Sequence, residues 1–341
     1  MANTFGTHFR LHSFGESHGP ALGALIDGCP AGVVFDEALL RSELERRRPG
    51  HHGLASNAVV SPRQEEDRPE ILSGVFEGKT LGTPIAVVVR NTDARSGDYT
   101  KIAQAPRAGH ADDVWKEKFG HSDPRGGGRS SGRETLARVI GGSFARMFLK
   151  SAAPELKIVG YATRIGPFEL TDDEKSKVLQ MKIDDFTGRF PSSRHAEVRE
   201  ALAKIQSQGE SWGGTAEIRA TGMPQGLGQP VFQKLKSDLA MAMMSVGAAC
   251  AFEVGEGLRA AEKAGTSFHQ GEKPYGGIRG GISTGEDLVL RVHFKPTSSI
   301  LDVAKQGRHD PCIVPRAIPV LEAMTALVLA DHVLWRRLDR I

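Results

Sequence analysis

Cysteine is scarce in this 341-residue chain: Cys29, Cys250 and Cys312 are the only three, and they lie far apart. They form no metal-ligand spacing, and with no secretory signal in view they read as free thiols of a reduced, cytoplasmic protein. Aromatic residues amount to 6%, which leaves no visible stacking platform and argues against an RNA-binding module. An excess of one charge is missing as well. The formal net charge is only +3, so the surface as a whole does not attract a long polyanion. Apolar runs such as 85–89 are far too short to span a bilayer, so no membrane association is expected. The Gly-x-x-x-x-Gly-Lys-[Ser/Thr] order of a phosphate loop is also absent, and no metal-binding aspartate follows a suitable strand. This weakens the rival reading of a phosphate-transferring NTPase.

What the chain does have is glycine, at 40 residues, and arginine concentrated locally, at Arg46-Arg47-Arg48 and from Arg125 to Arg133. That distribution suits a small, highly anionic ligand. The richest stretch runs from Arg107-Ala108-Gly109-His110-Ala111-Asp112 to Asp123-Pro124-Arg125-Gly126-Gly127-Gly128-Arg129-Ser130-Ser131-Gly132-Arg133. Three consecutive glycines cost folding entropy and cannot pack a core. A helical pattern begins at Glu134-Thr135, so the arginines, hydroxyls and bare amides sit at a helix N-terminus, where an anion is favoured. The stretch reads either as an anion cradle with His110 as a nearby proton carrier, or as a flexible basic loop.

In chain order, 9–14 reads as a strand ending in the tight turn Gly15-Glu16-Ser17-His18-Gly19, which can present an imidazole. A strand at 21–27 follows. Asp36 then opens a helix that carries Leu39, Leu40 and Leu44 and stops at Pro49-Gly50. Residues 51–67 and 91–105 read as loops around short strands and a strand at 85–90. Helices are expected at 135–150, 171–185, 193–206, 232–244 and 315–336, and strands at 156–165 and 288–294. Met241, Met243 and Met244 sit at helical spacing and read as core packing. His12, His121 and His195 read as ordinary polar residues, and His309 as structural.

At Gly209 the chain begins again. Gly209-Glu210-Ser211-Trp212-Gly213 echoes the first turn, and Gly15 to Pro30 and Gly209 to Pro224 are equal intervals of fifteen positions. Two related halves, about 5–150 and 205–338, sharing one core in a single domain spanning 1–341, are the expected organisation. Trp212 stands where His18 stood, which favours a chemical role for His18.

These motifs together resemble the chorismate synthase family: Gly-Glu-Ser-His-Gly at 15–19, Arg-Arg-Arg-Pro-Gly at 46–50 and Ile-Leu-Ser-Gly-Val-Phe-Glu-Gly at 71–78. Arg-x-Gly-His-Ala-Asp at 107–112, Gly-Gly-Gly-Arg-Ser-Ser at 126–131 and Ala-Met-Met-Ser at 242–245 continue the likeness. Lys-Pro-Thr-Ser-Ser at 295–299 and Gly-Arg-His-Asp-Pro-Cys at 307–312 complete it, in order along nearly the whole chain. The resemblance implies an α+β fold, a β-α-β sandwich with central helices between two antiparallel sheets and a pseudo-twofold duplication, assembled as a homotetramer.

It also implies anti-1,4-elimination of phosphate from 5-enolpyruvylshikimate 3-phosphate to chorismate, with reduced FMN and no net redox change. By resemblance, His18 protonates the leaving phosphate, His110 lies by the flavin, and Asp310 helps deprotonate flavin N5. The cofactor contacts carry over to Arg129, Ser130, Ser131, Gly247, Ala248, Gly280, Lys295, Pro296, Thr297, Ser298, Ser299 and Arg308. Arg47, Arg107, Arg133 and Arg316 are the candidates for substrate or NADP anions. The flavin is reduced either by NADPH on this chain or by an external flavin reductase. Three departures stand out: His51-His52-Gly53 replaces a family arginine, Ala108 replaces a proline, and the segment from Ser299 to Gly307 is short.

Overall fold

The structure, a computed structural model, describes residues 2–48, 67–91, 109–123, 125–298, 300–301 and 310–340. The sequence readings at 49–66, at 92–108 (Arg107 and Ala108 among them), at Ser299 and at 302–309, with Arg308 and His309, lie outside them.

The first antiparallel sheet is built from β1 (Arg10–Phe14), β2 (Ala21–Asp27), β3 (Pro69–Ser73) and β4 (Ile85–Arg90), with Thr4–Phe5 on the outer edge of β1. Between β2 and β3 runs α1 (Glu37–Arg47), started as expected by Asp36, whose carboxylate accepts from the Leu39 N–H at 2.9 Å. Beyond this sheet come α2 (Asp112–Phe119) and the long helix α3 (Thr135–Ala152). The second sheet holds β5 (Lys157–Ile165), β6 (Gly214–Thr221), β7 (Ala249–Val254) and β8 (Leu288–Phe294), edged by Phe168–Glu169. Helix α4 (His195–Ser207) lies between β5 and β6, α5 (Leu235–Met244) between β6 and β7, and α6 (Val314–Arg336) closes the chain.

The spatial orders are β1-β2-β4-β3 and β5-β6-β8-β7, so one topology occurs twice, each time followed by a long helix. The strand opening the second set starts at Lys157, well ahead of the echo at Gly209. Burial alternates along β4 and β8, and every second residue of β2 (Leu22, Ala24, Ile26) and β6 (Ala216, Ile218, Ala220) joins the core, so one face of each sheet is buried. Helix α3 packs on β1 and β2, α6 on β5 and β6, and the two helices pack on each other. The result is sheet, helix pair, sheet. The helices approach so closely that a Cβ on Gly142 would stand 2.4 Å from that of Ala323.

Helix α6 is long and apolar enough by itself to cross a membrane, yet 94% of its apolar window is buried inside the protein. A charged cluster crosses this seam. Glu322 on α6, 2% exposed, accepts from Arg46 on α1 (2.7 Å), Arg146 on α3 (3.0 Å) and the Gly160 N–H on β5 (2.6 Å). Burial alone would raise the Glu322 pKa, but the Arg46 and Arg146 guanidiniums outweigh it and push the carboxyl down to about 2.

Some expectations are corrected. The helix read at 171–185 is a short helix, Asp172–Lys177, followed by separate 3-10 turns. Of the three methionines read as core, only Met243 is buried; Met241 and Met244 face outward on α5.

Candidate active site

Two clusters hold the candidate residues, one against each sheet. The first is organised by the turn between β1 and β2. Gly15 has φ +92°, and a Cβ there would meet the Ala21 carbonyl at 2.3 Å, so only glycine closes this turn. Ser17 is buried, its N–H donates to the Gly128 carbonyl at 3.3 Å, and its hydroxyl lies 3.1 Å from His18 Nδ1. Arg129 donates to the Gly15 carbonyl (2.9 Å) and to Ser13 Oγ (2.7 Å), clamping the turn from the other side.

The glycine-rich run is therefore ordered. Arg125–Ser130 and Gly132–Glu134 are 3-10 turns that lead into α3, with Ser130 Oγ donating to the Gly127 carbonyl and Ser131 Oγ accepting from the Arg133 N–H. Arg133 and Arg47 are both buried and share one carboxylate: Arg133 donates to Asp67 Oδ1 at 2.9 Å and Arg47 to Oδ2 at 2.7 Å. Burial would raise the Asp67 pKa; the two guanidiniums overcome it and hold the carboxyl below its ordinary value. Arg133 Nε also donates to Asn91 Oδ1 at 3.0 Å. A cavity of about 250 Å³ lined by Arg41, Glu45, Arg48, Asp67 and Arg68 opens beside this group.

The second cluster lies where β8 ends. Lys295 Nζ and Ser298 Oγ both donate to the Gly109 carbonyl, at 2.8 and 2.9 Å, and so fix the peptide that presents His110. The Lys295 N–H donates to Ala248, which has φ +66°, and beside it a Cβ on Gly247 would meet nothing within 4 Å. Pro296 is exposed, and Thr297 Oγ1 donates to the Asp310 carbonyl at 3.2 Å. Asp310, 8% exposed, accepts from Arg316 at 2.6 Å. Arg316 Nε is buried with no hydrogen-bond partner among the described residues. Ser211 Oγ donates to the Thr297 carbonyl and the Trp212 N–H to that of Pro311, so the second Gly-Glu-Ser turn braces this cluster. Gly280 sits in the turn of a separate hairpin, Ile278–Arg279 with Ile282–Ser283, and no described contact joins it to either group.

Among the described residues, two links run between the clusters. The segment from Gly109 to Asp123 leads from one to the other, and the Asp123 carboxylate, held down by its hydrogen bonds to Arg125, also feels the charge of His18. Arg138 on α3 donates to Ser245 Oγ (2.6 Å) and its carbonyl (3.0 Å), just before Gly247. Asn91, Asp67 and Ser211 were missed by sequence reasoning.

An α+β sandwich that gathers imidazoles, guanidiniums and buried carboxylates at the ends of its sheets is the frame of an enzyme. Residues 9–334 match the family model for chorismate synthase. The chain is 66% identical over 341 residues to the chorismate synthase of Bdellovibrio bacteriovorus, covering 100% of this chain and 99% of that one. It is 43% identical over 366 residues to that of Cytophaga hutchinsonii, covering 100% of both. A solved crystal structure of chorismate synthase superposes with a TM-score of 0.78 at 32% identity, covering 97% of this chain and 93% of the other. The chain belongs to the chorismate synthase family. It is a lyase that eliminates phosphate from 5-enolpyruvylshikimate 3-phosphate to give chorismate, and the family is flavin-dependent.

Proposed function

We propose that the elimination uses FMN in its reduced form, with cofactor contacts drawn from the second cluster and the phosphate leaving beside His18. The single observation that carries this reading is the braced His18 turn, set against guanidiniums from α1 and from the glycine-rich run. The second cluster fits an anionic flavin. It offers the Lys295 ammonium, the Thr297 and Ser298 hydroxyls, open backbone at Gly247 and the unpartnered Arg316 Nε. Lys295, Pro296, Thr297, Ser298, Gly247 and Ala248 would hold the cofactor, with Ser299 and Arg308 beside them in sequence; the resemblance adds Arg129, Ser130 and Ser131 from the first cluster, and Gly280, which no described contact joins to either cluster. When bound, the dihydroflavin supplies the electron density and the N5 base for removal of the substrate C6 proton.

The protein's own groups do the rest. His18 delivers a proton to the departing phosphate, and the anion beside it favours the cationic imidazole. Arg47 and Arg133, gathered on Asp67, and by resemblance Arg107 are the guanidiniums we assign to the substrate's phosphate and two carboxylates, where preorganised positive charge would stabilise the leaving group. His110 holds a proton against the reduced ring. Arg316 orients Asp310 through their 2.6 Å ion pair and keeps Nε for an anion. We read the two topological units as copies of one ancestral half, and the protein as a cytoplasmic homotetramer. Exposed Phe232, Met241 and Met244 on and before α5 support the assembly.

An anaerobic assay on the phosphorylated substrate tests the cofactor reading. Dithionite-reduced FMN should support turnover and oxidised FMN alone should not. Turnover with NADPH plus FMN would assign reduction to this chain, and its absence would assign it to an external flavin reductase. Full turnover without flavin would refute the proposal.

A further inference from the structure

Asn91 occupies the point where the first cluster is tied together. It follows the last residue of β4, and its own N–H donates to the Pro20 carbonyl at 3.0 Å. Its side-chain amide spans two groups. Nδ2 donates to the carbonyls of Ser17 (3.2 Å) and Gly19 (2.7 Å), the residues on either side of His18. Oδ1 accepts from Arg133 Nε at 3.0 Å. The amide can be oriented only one way here, because two carbonyls demand the nitrogen and a guanidinium demands the oxygen. Aspartate has the same shape and would keep the guanidinium contact, but it would turn an acceptor toward two acceptors. Alanine would lose both arms.

We infer that Asn91 is a positioning residue. Through its two donors it fixes the peptide frame that aims the His18 imidazole, and through its oxygen it fixes Arg133 relative to that imidazole. The inference rests on the reading of His18 as proton donor and adds that the donor and an anion-binding guanidinium are aligned by one amide. Misplacement of a reacting group by about 1 Å costs on the order of a hundredfold in rate, so loss of the carbonyl arm is read in kcat and loss of the guanidinium arm in KM.

The test compares Asn91→Asp and Asn91→Ala with His18→Ala, in the full-length enzyme with reduced FMN, after thermal melts confirm folding. Asn91→Asp should lower kcat by about thirtyfold and leave the substrate KM within about threefold; Asn91→Ala should lower kcat similarly and raise KM about tenfold. In a His18→Ala background, Asn91→Asp should cost no further turnover. Equal effects of the two Asn91 variants on KM, or additive losses in kcat, would overturn the inference.

A second readout does not depend on activity. Carbethoxylation of His18 by diethyl pyrocarbonate in the substrate-free protein, followed by peptide mass spectrometry, should change rate several-fold in Asn91→Asp. An unchanged rate would count against Asn91. Near-normal turnover of His18→Ala with a changed modification rate would sink the role of His18 instead, while leaving Asn91 as the residue that sets its presentation.

Discussion

The turns that open β2 and β6 share the frame Gly-Glu-Ser-x-Gly and are gripped in the same way. Each is held by residues just past the last strand of its unit: Asn91 on the first, and on the second Thr297, whose carbonyl receives Ser211 Oγ. Each is held again by the segment leading into the long helix. The Ser17 N–H reaches Gly128 ahead of α3, and the Trp212 N–H reaches Pro311 ahead of α6. The two candidate clusters are thus the same place in the topology, visited twice. What differs is the fourth side chain of the turn. His18 is half-buried in a turn held by Arg129 and, through Asn91, by Arg133, whereas Trp212 packs on Gly166 and Phe168, its ring 6.1 Å from that of Phe168. The same backbone frame carries a titratable ring in the first unit and a packing ring in the second.

Removing the imidazole gives the largest expected effect. His18→Ala should lower kcat by about 10³-fold, in the range of a lost general acid, with an unchanged melting temperature. A loss of only a few-fold would erase the distinction between the copies. Next comes the seam between the units, where neither turn is touched. Glu322→Gln takes from the half-buried Arg46 and Arg146 the more deeply buried of the two carboxylates they share, leaving them Glu43, and should cost about 3 kcal/mol in chemical unfolding. The pH dependence has a definite sign. The folded carboxyl is depressed from 4.5 to about 2, so its contribution is present above pH 4.5 and is lost as pH falls toward 2. Stability of the wild type should therefore fall more steeply over that interval than that of Glu322→Gln. Trp212→Ala should cost about 2 kcal/mol, as a half-buried ring, with turnover per folded molecule within about threefold. A kinetic loss as large as that of His18→Ala would make the second turn chemical too.

Much of this architecture is legible in the sequence for a simple reason. β8 alternates strictly, α1 begins at an aspartate that caps, and α3 carries an apolar face, so the local period and the tertiary burial agree. Helix α2 escaped because its described side chains are exposed and carry no such period. β7 escaped because Ala249-Cys250-Ala251 gives little contrast between its faces. In the site, His18 and Arg129 were readable from residue type beside glycine. Asn91 and Asp67 were not, because asparagine and aspartate are ordinary loop formers. Their meaning lies in partners 20 to 74 residues away along the chain.

The smallest expected effect asks whether the second cluster is redundant where the first is not. The Gly109 carbonyl has two donors, Lys295 Nζ and Ser298 Oγ, whereas the Gly15 carbonyl has Arg129 as its described side-chain donor. Ser298→Ala removes a neutral hydrogen bond and leaves the charged donor, so the peptide before His110 stays held. A net hydrogen bond of that kind contributes about 1 kcal/mol, and FMN affinity, followed by quenching of flavin fluorescence, should fall about fivefold. Lys295→Met removes the charge-assisted bond, the stronger of the two, and should cost more than Ser298→Ala. If Ser298→Ala proves the more damaging, the hydroxyl meets the flavin directly and the clamp on Gly109 is secondary. Equal, near-zero effects would place the flavin elsewhere and end the parallel between the two clusters.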